Sequence, residues 1–219
     1  MRQSMFDRKL SQERLLVGIG GNIGSGKSTI ANELRRYGAK IIDADQLGWG
    51  LLHRNTAEYR KLVATFGRTI LTKGGQVDRR ALGRVAFATR TNLRKLNAIM
   101  HPPLIERVRE EIARNKKGLV VVDAALLFQW GLHTEMDVSI LVTAPDRLKV
   151  RRMVESGLSE EEARQRLALQ EPDSKVWRKA DFVLENKGSF AELRRKSRAL
   201  WNFFYSARFQ NIKQARAAK

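Results

Sequence analysis

Short apolar runs alternate with amphipathic stretches in the first and last thirds of the chain. Leu15–Ile19, Ala39–Asp43, Leu119–Asp123, Asp137–Val142 and Asp181–Leu184 read as strands. The runs through the first, third and fourth are nearly continuous in apolar residues, the pattern of parallel strands buried on both faces. Ser28–Tyr37 and Pro145–Val154 carry a helical period, and Ser159–Gln170 opens with Ser159 and Glu162 at capping-box spacing. This alternation predicts an α/β fold of three layers, a doubly wound parallel sheet between helices.

One stretch departs from the alternation. Between Gln46 and Lys117 no buried strand is apparent, only helical pieces at Tyr59–Phe66, Arg79–Ala88 and Asn92–Met100, then Leu104–Arg114 after Pro102-Pro103. About 70 residues of helix far exceed what a strand-to-strand crossover needs. They predict a helical subdomain over one edge of the sheet, where insertions shape substrate pockets. The chain thus divides into a core (14–47, 117–145 and 171–206), a helical insertion (48–116), a helical segment at 146–170 and a basic tail (207–219).

The strongest chemical signal is Gly21-Asn22-Ile23-Gly24-Ser25-Gly26-Lys27-Ser28, which matches the P-loop pattern G-x-x-x-x-G-K-[ST] between a predicted strand and a predicted helix. The glycines let successive backbone N–H groups face a phosphate, and the helix N-terminus adds partial positive charge. Asn22, Ile23, Gly24, Ser25, Gly26, Lys27, Ser28 and Thr29 are therefore the expected nucleotide contacts. Lys27 is placed to reach the β/γ-phosphates of ATP, and the Ser28 hydroxyl to ligate Mg²⁺. Asn186-Lys187-Gly188-Ser189 lacks the Asp of a guanine-reading Asn-Lys-x-Asp segment, which argues against a GTPase.

Three further polar positions end strands. Asp45, just past Ile41-Ile42-Asp43, emerges beside the loop and reads either as a base for an attacking hydroxyl or as a helix N-cap. Asp43 leans towards a structural role. Asp123 ends its strand as a magnesium-holding carboxylate would, or as a buried cap. Asn186 suits either a base edge or a turn.

The 219 residues carry 42 Lys plus Arg against 23 Asp plus Glu, a formal charge of +19, with no Cys and three His. Disulfides, thiolate metal sites and cysteine nucleophiles are excluded. No apolar run approaches the ~20 residues of a membrane span, and Met1–Arg14 has no apolar signal core, so the cytoplasm is the expected compartment. From Ser189 onward eight basic residues face Glu192 alone, which favours anionic partners or a solvated basic surface. Trp201–Phe209 interleaves aromatics with that stretch and reads as a docked C-terminal helix.

In Gly18–Leu47, Phe66–Leu71, Val77–Phe87, Leu96–Pro102, Val120–Leu132, Leu158–Gln170 and Ala180–Ser189 the chain resembles the dephospho-CoA kinase family, in order and spacing. The resemblance implies phosphorylation of the ribose 3′-hydroxyl of dephospho-CoA by Mg·ATP, giving coenzyme A and ADP. It also implies a P-loop nucleotide-binding core, a helical CoA-binding domain over 48–116 and a mobile lid over 146–170. Asp45 becomes the base for the 3′-hydroxyl, His101 an acceptor contact, and Arg79 and Arg80 neighbours of the CoA-binding face. Of the lid cations Arg147, Lys149, Arg151 and Arg152, the resemblance favours Arg151 as the catalytic arginine, since it aligns with the first of two arginines usual four apart; Glu155 stands at the second, for which Arg152, about 100° around the helix, is the available substitute. Gly20, Asn22, Ala125 and Gln129 also depart from the family pattern, which shows Thr, Gly, Pro and Glu there. The competing readings are a P-loop nucleoside or nucleotide kinase and, with less support, a nucleic-acid-binding ATPase. Oligomeric state is not legible in the sequence.

Overall fold

Five strands form where the apolar runs lie: β1 (Arg14–Gly20), β2 (Lys40–Asp43), β3 (Gly118–Asp123), β4 (Val138–Thr143) and β5 (Phe182–Glu185). The computed structural model describes residues 14–205, so the tail at 207–219 lies outside the described residues. All pairings are parallel, in the order β2-β3-β1-β4-β5. β1, β3 and β4 lie inside the sheet, which is why their runs are apolar on both faces.

Alternation along β1 assigns the two faces. Leu15, Val17 and Ile19 pack with Ile30 and Leu34 of α1 (Lys27–Arg36) and with Leu193 and Phe204 of a C-terminal helix at Phe190–Phe204. Leu16 faces the other way, with Val120, Val122 and the long insertion helix at Arg90–Arg114. Gly20 also lies on that side. A Cβ there would sit 2.6 Å from the Phe128 ring, so in this chain the ring fills the space that the family's usual Thr would take.

Between β2 and β3 lie α2 (Ala44–Gly50), which spans the start of the insertion, and α3 (Ala57–Phe66), α4 (Arg79–Ala86) and α5 (Arg90–Arg114) within it, with a 3₁₀ turn at Arg68–Ile70 and a bridge between Leu71 and Val77. Thr56, Asp78 and Thr89 cap α3, α4 and α5 by accepting backbone N–H groups. The expected break at Pro102-Pro103 does not occur: α5 runs on as one helix of 25 residues. Each proline removes a helical N–H. Packing outweighs that cost, because Leu96 and Ile99 belong to the insertion's own core with Leu62, Ile70 and Leu82, while Leu104, Val108 and Ile112 lie against the sheet. One rigid helix thereby joins the insertion to the core.

After β4 come α6 (Asp146–Glu155), α7 (Glu160–Leu169) and the short α8 (Asp173–Val176), then β5 and α9 (Phe190–Phe204). The capping box forms at α7 as its spacing predicts, with Ser159 and Glu162 exchanging bonds. Val150, Met153 and Ala163 bury a small core between α6 and α7, and Ile23 of the glycine-rich loop packs into it. Trp201–Phe204 lie within α9, consistent with the helix expected there.

Candidate active site

The glycine-rich loop joins β1 to α1 at the carboxyl end of the sheet. Gly24 and Gly26 hold φ of 76° and 99°, and Gly26 is the left-handed residue that starts α1. A Cβ at Gly26 would lie 2.3 Å from the Asn186 amide nitrogen, so only glycine permits that approach. Lys27 is buried at the head of α1 and Ser28 is exposed beside it.

Parallel pairing brings Asp43 opposite Asp123 at the ends of β2 and β3. Asp123 is 5% exposed, and its Oδ1 has no hydrogen-bond partner among the described residues. Burial raises its pKa; the Lys27 charge and a hydrogen bond from Ser28 oppose that, and the charges of Asp43 and Asp45 add to it. Lys27, Ser28, Asp43, Asp45 and Asp123 thus share one electrostatic neighbourhood.

The two candidates on the β2 side separate clearly. Asp43 is the N-cap of α2, its Oδ1 accepting the Gln46 N–H at 3.0 Å. Asp45 sits in the first turn, exposed. One turn along α2, Trp49 carries the Arg79 guanidinium 4.1 Å above its ring, which brings the start of α4 against the helix bearing Asp45. Arg80 is exposed beside it. His101 is half-buried on α5 with its ring edge-on to Trp130, and burial pushes its pKa down, favouring neutral imidazole. These insertion residues do not line the cleft between the loop, α6 and the Asn186 turn.

That cleft, of about 510 Å³, is bounded by Gly26, Thr29, Arg151, Arg152, Asn186 and Lys187. Asn186 is buried. Its amide nitrogen donates to the Ser25 carbonyl at 2.8 Å, and its backbone N–H to Thr143 at 2.7 Å. Arg151 turns outward and pairs with Glu155 at 2.8 Å, the two side chains 74% and 59% exposed. Arg152 turns inward onto loop carbonyls. Lys149, counted by sequence among the lid cations, is 3% exposed and sequestered by Asp173 at 2.6 Å and Asp146 at 3.3 Å. Gln170 and Glu171 were not singled out by sequence. Gln170 Oε1 accepts the Ile23 N–H at 2.9 Å, and the Glu171 carbonyl accepts from the buried Asn22 amide at 3.0 Å. Partners nearly 150 residues apart leave no local signal.

The dephospho-CoA kinase family model matches residues 15–192. Dephospho-CoA kinase from Geobacillus kaustophilus is 37% identical over 190 residues, covering 85% of this chain and 94% of that one. A solved structure from Thermus thermophilus superposes with a TM-score of 0.68 at 37% identity, over 87% of this chain and 97% of the other. A solved dephospho-CoA kinase from Campylobacter jejuni gives 0.59 at 26% identity, over 86% and 96%. Among the described residues no helix is long and apolar enough to cross a membrane. With a P-loop at the carboxyl end of a parallel sheet and relatives of this extent, the chain belongs to the dephospho-CoA kinase family: it is an ATP-dependent kinase acting on dephospho-CoA in coenzyme A biosynthesis.

Proposed function

We propose that Asp45 is the base that takes the proton of the dephospho-CoA 3′-hydroxyl as the γ-phosphoryl group of ATP transfers to it. The observation that carries this is the division between two neighbouring carboxylates. Asp43 already caps α2, which leaves Asp45 exposed with no capping duty, within electrostatic reach of the same Asp123 carboxyl that Lys27 and Ser28 act on. Lys27 and N–H groups of the 22–29 loop cradle the phosphates, although those of Ile23, Ser25 and Thr29 already donate to Gln170 Oε1 and to the Asn22 and Gly26 carbonyls. Arg151 closes from the 146–170 lid onto the transferring group, since an exposed ion pair of small net worth holds it back only weakly. His101, Arg79 and Arg80 contact the acceptor from the 48–116 insertion, and Asn186 borders the nucleobase.

Ser28 and Asp123 would hold Mg²⁺. The unpartnered Asp123 Oδ1 fits a cation ligand, and no group of three His, Asp or Glu side chains among the described residues could hold a metal alone. Two protein oxygens suit a magnesium ion completed by phosphate and water. When bound, the ion neutralises charge on the β- and γ-oxygens. The cytoplasm is the proposed compartment, as the reaction draws on ATP. ADP release with dephospho-CoA, nucleosides or RNA as acceptor tests the assignment: dephospho-CoA alone should support turnover. Preference for a nucleoside, or RNA-stimulated hydrolysis, would overturn it.

A further inference from the structure

Arg152 is the one lid arginine whose guanidinium meets the loop itself among the described residues. Its Nη1 donates to the Gly24 carbonyl at 3.0 Å and the Ser25 carbonyl at 3.3 Å, and its Nη2 to the Asn186 carbonyl at 3.3 Å. The Ser25 carbonyl also accepts from Asn186 Nδ2 at 2.8 Å, so two side chains hold one oxygen. A peptide unit is planar, with its C=O and N–H opposed. Pulling Ser25 O towards Arg152 and Asn186 therefore aims the Gly26 N–H the other way, into the space at the head of α1. A planar fork suits this task, because its donors are set at fixed angles for several acceptors, whereas an ammonium is a single point.

We propose that Arg152 is a positioning residue for phosphate binding. It keeps the Gly24 and Ser25 carbonyls turned towards its guanidinium and away from the phosphate site, so that the Gly26 N–H points into that site, and it ties the loop to the Asn186 turn. It acts through the loop, not on the nucleotide. Arg151, exposed and among the described residues paired only with Glu155, is left for the reacting phosphoryl group, so adjacent arginines on α6 divide the work. The proposal rests on the loop being the phosphate site.

The test uses full-length wild-type protein, R152M, R152K, N186A and R152M/N186A. Calorimetry measures binding of ATP and of inorganic tripolyphosphate, with steady-state kinetics and melting temperatures alongside. R152M should weaken both ligands by the same factor, about tenfold from lost charge-assisted hydrogen bonds, and raise KM for ATP in parallel. KM for dephospho-CoA should stay within twofold. R152K should recover little, and the double variant should lose less than the two single losses combined, because both side chains act on Ser25 O. A loss confined to ATP would mean contact with the base and overturn the proposal. Full rescue by R152K would mean charge acting directly on phosphate, and additive losses would mean independent roles; either also overturns it. If R152M does not fold, a folded R152K with wild-type affinity for both ligands overturns it. Wild-type protein that binds neither ligand removes the phosphate site itself, and the proposal with it.

Discussion

Asp45→Asn separates chemistry from folding more cleanly than any other single change. Asparagine is nearly isosteric, and Asp45 is exposed, so no cavity or buried orphan results. The Gln46 N–H keeps its acceptor because Asp43 supplies it. What is lost in the fold is one negative charge from the first turn of α2, worth about 0.3–1 kcal/mol at a helix N-terminus. Relief of its repulsion towards Asp123 works in the opposite direction. Net stability should therefore move by less than about 1 kcal/mol, a melting shift of no more than about 2–4 °C in a protein of this size. Removing a general base costs about 10²–10⁴ in rate, or roughly 3–5 kcal/mol in the barrier. Single-turnover transfer from γ-labelled ATP to dephospho-CoA, measured beside nucleotide binding and thermal melting, resolves the two scales. Asp43→Ala is the control: it deletes the cap, at about 1 kcal/mol, yet leaves Asp45 in place, so it should melt earlier and transfer faster than Asp45→Asn. Near-normal transfer by Asp45→Asn with intact nucleotide binding would refute the assignment of the base.

Three other outcomes follow from the geometry. Arg151→Ala should cut turnover by about 10²-fold while dephospho-CoA affinity and melting hardly change, since the pair it breaks is exposed; steady-state kinetics with both substrates checks the split. Lys149→Met leaves Asp173 without its counter-charge, with the Thr143 hydroxyl still donating to it, and because that side chain keeps 17% exposure the cost should fall near the low end for a broken buried pair, about 3 kcal/mol, seen as a melting temperature lower by about 6–12 °C. Asp123→Asn should raise the melting temperature of the ligand-free protein at neutral pH while abolishing Mg·ATP turnover. A raised pKa means the native state binds the Asp123 proton more tightly than the unfolded chain does. The carboxylate's penalty is thus full above the native pKa, fades as pH falls through it, and is gone below the unfolded value. A melting series from neutral to acid pH should show the variant's advantage shrinking.

Whatever depends on a residue and its near neighbours was legible in the sequence. The five strands follow from local apolar runs, the capping box of α7 from two residues three apart, and the phosphate loop from glycines that only left-handed turns require, in register with Lys27 and Ser28. The family followed from the order of such segments.

What needed the tertiary structure was every choice between neighbours of equal local merit. The sequence leans Asp43 towards a structural role but leaves Asp45 open between base and cap; the backbone leaves β2 so that Asp43 is the one that meets the Gln46 N–H. Arg147, Lys149, Arg151 and Arg152 form one basic stretch, yet Lys149 is buried against Asp173, Arg152 meets loop carbonyls more than 120 residues away, and Arg151 keeps an exposed pair. Two prolines argue for a break that α5 does not make, because its halves pack into different cores whose burial outweighs two missing hydrogen bonds. Local propensity is worth tenths of a kcal/mol to about three per residue, and long-range burial and ion pairing match or exceed it. Partners far apart in the chain therefore decide which lysine or arginine is free to do chemistry.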